Sequence, residues 1–301
     1  MSYRLLLTPI DSLPPAAMQE PKEKIIKEVQ DRLDVCRLMA DTISIMRNAC
    51  GDKTPLTLHL DPHQDLLNYH DIQIISYLCH SCEVPLSLAI GGCEANRDLQ
   101  ELASLSAQII QASCIESTFA LSKLILSYDR IYNTLEVSKK PSITLSLNTP
   151  GCLICLDEIL ASSASSPIST LLIDRNALSV YSLDDGTIAS MLEDSIQVKQ
   201  ARQRIKIGIC GGISPGNVEH LCAVYKPDLV CTKMFIANAL GLSSQTFSYN
   251  IISALLVLEA RILELILLHR NAISSIITMR RNSLVSYIQA STINQIINAG
   301  E

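Results

Sequence analysis

The residues with the clearest chemical potential gather in the decapeptide Ile90–Leu99, IGGCEANRDL. Gly91 and Gly92 leave room for backbone to approach a ligand closely. Glu94 and Asp98 could bind a metal ion or a substrate group, and Arg97 could hold a carboxylate through two parallel hydrogen bonds. Acids in a first helical turn would equally serve to complement the helix dipole, for roughly a few tenths of a kcal/mol. Glu116, in SCIESTFALSK, is a second acid that is open to both readings. Asn148 and Thr149 close the segment LSLNT. A hard divalent cation there would want charged oxygens, and Asn offers one neutral carbonyl. Arg175, in LLIDRNALSVYS, is either a clamp for a carboxylate or phosphate or the partner of Asp174 in a loop ion pair worth little. In IGICGGISPGNVEHL, Gly211 and Gly212 precede a Ser-Pro helix start, and exposed amides at such a start form an anion site. Lys233, in PDLVCTKMF, could hold a substrate anion or lie along apolar surface as a solvated lysine.

Cysteine and histidine supply weaker signals. His59, Asp61 and His63 in LHLDPH are possible metal ligands, though Pro62 makes the loop irregular. Cys79 and Cys82, like Cys152 and Cys155, have CxxC spacing without a second pair at zinc spacing. Cys210 ends an apolar run and reads as buried or as pointing into a mouth.

Short apolar runs alternate with helical patterns, which is the signature of repeated βα units. Strands are expected at Arg4–Thr8, Leu56–Leu60, Leu86–Ile90, Ala107–Gln111, Ile143–Leu147, Leu171–Ile173, Lys206–Cys210 and Leu229–Cys231. Helical patterns fall at Pro21–Asn48, Leu66–Ser81, Asn96–Ser106, Ser117–Ser127, Cys152–Ala161, Ala189–Arg204 and Pro215–Val224. This order predicts an α/β fold, a (β/α)8 TIM barrel over residues 1–241, whose βα loops would carry the site residues to one mouth. An open doubly wound sheet would want a GxGxxG turn after the first strand, which is missing. Residues 242–301 read as an apolar helical extension that packs on a neighbouring subunit, giving a homo-oligomer, or on its own barrel.

The chain has 301 residues, is 48% hydrophobic and carries a formal net charge of −6. An acidic balance and three Phe with no Trp argue against nucleic acid, which needs a basic face or stacking platforms. The opening apolar run is too short for a signal peptide. The run IISALLVLEARILELILLH carries Glu259, Arg261 and Glu264, too costly in a bilayer. The expectation is a cytoplasmic protein with no membrane partner, its eleven cysteines reduced.

Taken in order, these motifs resemble the pyruvate-dependent aldolase and citrate-lyase β-subunit superfamily. IGGCEANRDL is similar to its strand-end motif. Ile115, Glu116, Ser117, Ala120, Leu121 and Lys123 match the "IES" stretch that follows. LSLNTPGCLICLDEIL, LLIDRNALSVYS, GICGGIS and VCTKMFI resemble later segments, over roughly Leu56 to Ile236. The resemblance implies a barrel of the phosphoenolpyruvate/pyruvate type. It also implies a carbon–carbon lyase acting on a small 2-oxo acid or acyl thioester, with Mg2+ or Mn2+ neutralising the enolate oxygen. It makes Glu94, Arg97, Arg175 and Lys233 candidate catalytic residues, with Gly91, Gly92, Gly211 and Gly212 binding substrate and Glu116 the candidate metal ligand.

The chain departs from that pattern at the metal. Asn148 stands where the superfamily places a metal-binding Glu, and Ala177 where it places a metal-binding Asp. Ala89 replaces a Lys before the double glycine, and Cys231 and Thr232 replace an acid and a base before Lys233. Two expectations follow, a lyase with a degenerate metal site or a catalytically silent barrel that binds a small anion or a partner protein. GGISPGNVEHL also resembles the phosphate-binding turn of barrel isomerases such as phosphoribosylanthranilate isomerase, a third reading.

Overall fold

The computed structural model describes residues 4–7, 56–62, 68–91, 95–103, 107–136, 140–201, 204–214 and 216–232, with isolated positions in 36–40, at 105 and in 257–289. Its frame is a parallel sheet of strands β1 (Arg4–Leu7), β2 (Leu56–Leu60), β3 (Leu86–Ile90), β4 (Ile109–Ser113), β5 (Ser142–Leu147), β6 (Ile168–Asp174), β7 (Lys206–Cys210) and β8 (Leu229–Thr232). Each strand pairs with the next, and β8 returns to β1, so the curled sheet closes in chain order. Helices connect the strands in the manner of a TIM-like barrel.

Strand alternation divides the side chains between two regions. Leu56, Leu58 and Leu60 of β2, Leu86, Leu88 and Ile90 of β3, and Ile143, Leu145 and Leu147 of β5 belong to the large apolar cluster between sheet and helices. Ile109, Leu172, Leu229 and Cys231, with Cys210 against them, form a second, small cluster inside the barrel. The helices offer matching stripes. Tyr69–Ser81 buries Ile72, Ile75 and Cys79, and its start is fixed by a reciprocal cap in which Asn68 and Asp71 each bond the other's backbone N–H at 3.0 Å. Thr118–Tyr132 buries Leu121, Leu124, Ile125, Tyr128 and Tyr132, and Ser117 caps it.

Several boundaries differ from those read in the sequence. β4 begins two residues late, because the Gln108 side chain accepts from Leu86 N at 2.6 Å and Ile109 is the first residue in register with Ser87. The segment Cys152–Ala161 breaks at Cys155 into two short helices, Pro150–Ile154 and Leu156–Ala161. Ala189–Arg204 divides likewise at Ser195, whose hydroxyl bonds Asp157 and caps Val198 N. A short helix at Arg175–Ser179 has no counterpart in the sequence reading. The pattern at Pro21–Asn48 lies outside the described residues apart from positions 36, 37 and 40. Among the described residues no helix is long and apolar enough to cross a membrane.

Candidate functional site

The decapeptide after β3 serves first to shape its own loop. Asp98, on the helix Ala95–Leu102, is buried and accepts from Gly91 N at 2.9 Å, tying the helix back to the strand end. Arg97 is directed outward and pairs with Glu101 one turn on, with 74% of its side chain exposed. Such a surface pair contributes little to stability. Gly92, Glu94 and Lys233 lie outside the described residues.

At the ends of β4 and β5 the polar groups satisfy one another. Asn148 Oδ1 accepts from Cys114 N at 3.2 Å and from the Cys152 thiol at 3.9 Å, and Asn148 Nδ2 donates to Cys114 Sγ at 3.5 Å. Both lone pairs of that carbonyl oxygen are therefore in use. The Thr149 hydroxyl donates to Glu116 Oε1. Glu116 rests on the first turn of Pro150–Ile154, so close that a Cβ at Gly151 would lie 2.7 Å from its carboxyl carbon. Cys114 sits in the left-handed region at φ 58° to face Asn148. Burial pushes the Cys152 thiol above its ordinary range.

At the ends of β6 and β7 a second network forms around Arg175. Its Nε and Nη2 donate to the two carboxylate oxygens of Asp185 at 2.7 and 2.8 Å, and Nη1 donates to Gly211 O at 2.5 Å. The Tyr225 hydroxyl also donates to Asp185, at 2.8 Å. The Arg175 hydrogen bond and the Tyr225 hydroxyl hold the Asp185 carboxyl below the usual carboxylate range. Of the two readings of Arg175, the Asp174–Arg175 ion pair is not what forms, because Asp174 turns instead to cap Ala177 N at 3.0 Å. Gly211 and Gly212 have φ of 89° and 61°, a reversal that brings Gly211 against Asn176. A Cβ on Gly211 would fall 2.7 Å from Asn176 N. Asn217 closes the turn by donating to Gly212 O and accepting from Ser214 N. The structure thus joins Arg175 to the double glycine, and it places Glu116 beside Thr149 in the Asn148 network.

These arrangements do not fit a hard divalent cation at the positions the resemblance implies. Ala177 has no oxygen ligand to offer, Asn148 Oδ1 already accepts two hydrogen bonds, and Glu116, one of its oxygens bonded to Thr149, is a single carboxylate. Among the described residues no group of three His, Cys, Asp or Glu is placed to hold a metal ion. His59 is buried with Nδ1 2.9 Å from Ser87 Oγ, and His63 lies outside the described residues. Among the described residues no disulfide joins the cysteines, and burial next to Cys82 raises Cys79 to about 12, which leaves it a thiol rather than a reactive thiolate.

Asp185 was invisible to sequence reasoning because it follows Arg175 by ten residues and reads as an ordinary first-turn acid. The polar interior was missed as well. Thr57, His59, Ser87, Gln111, Thr144, Ser146 and Thr170 are all buried and stand at alternate positions on β2 to β6. That period-two pattern was present in the sequence, masked by the apolar residues between.

The sequence matches no protein-family model and no curated protein. Solved structures do share the fold. Citrate synthase SbnG aligns with a TM-score of 0.53 and 10% identity, over 85% of this chain and 91% of that one. An HpcH/HpaI aldolase from Desulfitobacterium hafniense aligns at 0.51 and 11% identity, over 84% and 93%. The fold is that of aldolase/citrate lyase-like barrels, and at such identities the likeness concerns the fold alone.

Proposed function

We propose that this protein is a degenerate (β/α)8 barrel of the phosphoenolpyruvate/pyruvate type, which binds a small molecule at its mouth without metal-dependent carbon–carbon lyase chemistry. The observation that carries this reading is the state of Asn148. A lyase of the implied kind needs an anionic cage for the cation that neutralises the forming enolate. Here the equivalent oxygen is neutral and accepts from Cys114 N and the Cys152 thiol. Arg175, the implied carboxylate clamp, is occupied by Asp185 and Gly211 O. The mouth is thus built from groups that hold each other, which suits shape and hydrogen-bond recognition better than charge stabilisation. The described part of the segment after Gly241 rests on its own barrel, where Arg261 bonds both Glu219 and Glu264.

Calorimetry tests the reading. Mn2+ or Mg2+ is titrated with and without pyruvate or oxalate. Silence from a folded protein is expected, whereas heat that needs both the metal and the acid would establish the lyase reading instead. The double variant Asn148→Glu with Ala177→Asp is expected to gain Mn2+ affinity over the parent. No gain would show that these two positions do not share a cavity.

A further inference from the structure

The barrel interior is unlike the packed aliphatic filling of a TIM barrel, which is dominated by Val, Ile and Leu. The strand register, with the one-residue stagger that closure requires, stacks the inward positions in layers. Thr57, Ile109, Thr170 and Leu229 form the lowest, followed by Ser87, Thr144 and Gly208. Above these lie His59, Gln111, Leu172 and Cys231, then Ala89, Ser146 and Cys210 towards the mouth. One wall is dry and tight. Leu172 and Leu229 press so closely on Gly208 that a Cβ there would fall 2.8 Å from Leu172 Cδ1. The facing wall, on β2 to β5, is polar.

On that polar wall two buried atoms have no protein partner, Gln111 Oε1 and Thr57 Oγ1. Gln111 is 8% exposed and Thr57 fully buried. An unmet buried acceptor costs about 1–3 kcal/mol, so something must donate to it. Among the described residues the layer above Gln111 holds only small side chains, Ala89, Ser146 and Cys210. Among the described inward-facing residues from the Thr57 layer to the Ser146 layer none is Lys, Arg, Asp or Glu. A desolvated anion would find no fixed positive charge there, and its oxygens would face the Gln111 acceptor.

We propose that the polar wall of the barrel interior, centred on Gln111 and bounded by His59, Ser87 and Ser146, binds a neutral, hydroxyl-rich small molecule. A hydroxyl suits the site because it donates to Gln111 Oε1 and can accept from a neighbouring hydroxyl at once. This deepens the reading of the barrel as a binding protein and rests on it.

Saturation-transfer NMR on the full chain tests the inference, with erythritol as the neutral probe and pyruvate as the anionic one. Erythritol is expected to saturate the wild-type protein and to outcompete pyruvate. Gln111→Leu, close in volume, should bind erythritol at least about tenfold more weakly while melting no lower than the parent. Ala89→Leu, which fills the layer above and leaves Gln111 intact, should lose binding too. Unchanged erythritol affinity in Gln111→Leu, preference for pyruvate, or no saturation of the wild type would each overturn the proposal. Failure here with no metal-dependent heat in calorimetry leaves the wider function standing, whereas metal-dependent oxalate binding removes that function whatever erythritol does.

Discussion

Removing Asp185 should cost this barrel several kcal/mol, although Asp185 lies on a connecting helix and not in the sheet. Asp185→Ala deletes two charge-assisted bonds from Arg175 at 2.7 and 2.8 Å and one from the Tyr225 hydroxyl at 2.8 Å. It leaves the Arg175 guanidinium, whose side chain is 18% exposed, with only the Gly211 carbonyl of these partners. Orphaning one member of a fully buried pair costs about 3–5 kcal/mol. Water can reach part of this pair, so a loss of about 2–4 kcal/mol is expected. In a chain of this size that lowers the melting temperature by roughly 3–6 °C. Urea unfolding followed by circular dichroism measures it. The pH dependence checks the cause. The folded Asp185 carboxyl is held below its unfolded value, first by the Arg175 bond. Its contribution is therefore complete above about pH 4 and lost as pH falls through the folded value. The gap between parent and Asp185→Ala should hold steady from neutral pH to about 5 and shrink below about 4. A loss under about 1 kcal/mol, or a gap that persists undiminished in acid, would refute the reasoning.

Four further variants probe local geometry. Gly211→Ala forces a side chain onto backbone at φ 89° and onto Asn176 N, so a loss above about 2 kcal/mol is expected in the same unfolding assay. Gly151→Ala meets only the flexible end of Glu116 and should cost less than about 1 kcal/mol. Gly208→Ala overpacks the dry wall against Leu172 and Leu229, with about 1–3 kcal/mol lost. Lys226 ends the helix Val218–Tyr225 in the left-handed conformation at φ 49°, so Lys226→Gly should raise the melting temperature, by about 0.5–1 kcal/mol of stability.

The strands were the legible part. β2, β3 and β7 fall where their apolar runs predict, because a strand buried against helices must be apolar at alternate positions whatever faces the interior. β4 slipped by two residues, since Gln108 supplies a side-chain bond that composition does not announce. The loops' chemistry was less legible. Arg175 was read correctly as following β6, but it opens a short helix, and its partner came from ten residues away and not from its neighbour Asp174. Asn148 was identified as the odd residue at the mouth, yet the two cysteines that occupy its carbonyl come from different connections, and only the folded chain brings them together. Thr57 and Gln111 look like ordinary strand residues until register shows which way they face.

The closure of the sheet is uneven. β5 and β6 run paired from Ile143 to Leu147, whereas among the described residues β7 meets β8 only where Gly208 and Ile209 register with Leu229 and Val230. Cooperative units come apart first where backbone ladders are shortest. Amide protons on β8 should therefore exchange with deuterium well before those on β5, through an opening that leaves the rest of the ring intact. Such an opening would lie along the side of the cylinder rather than at its mouth, with β8 still held by its four-residue ladder to β1.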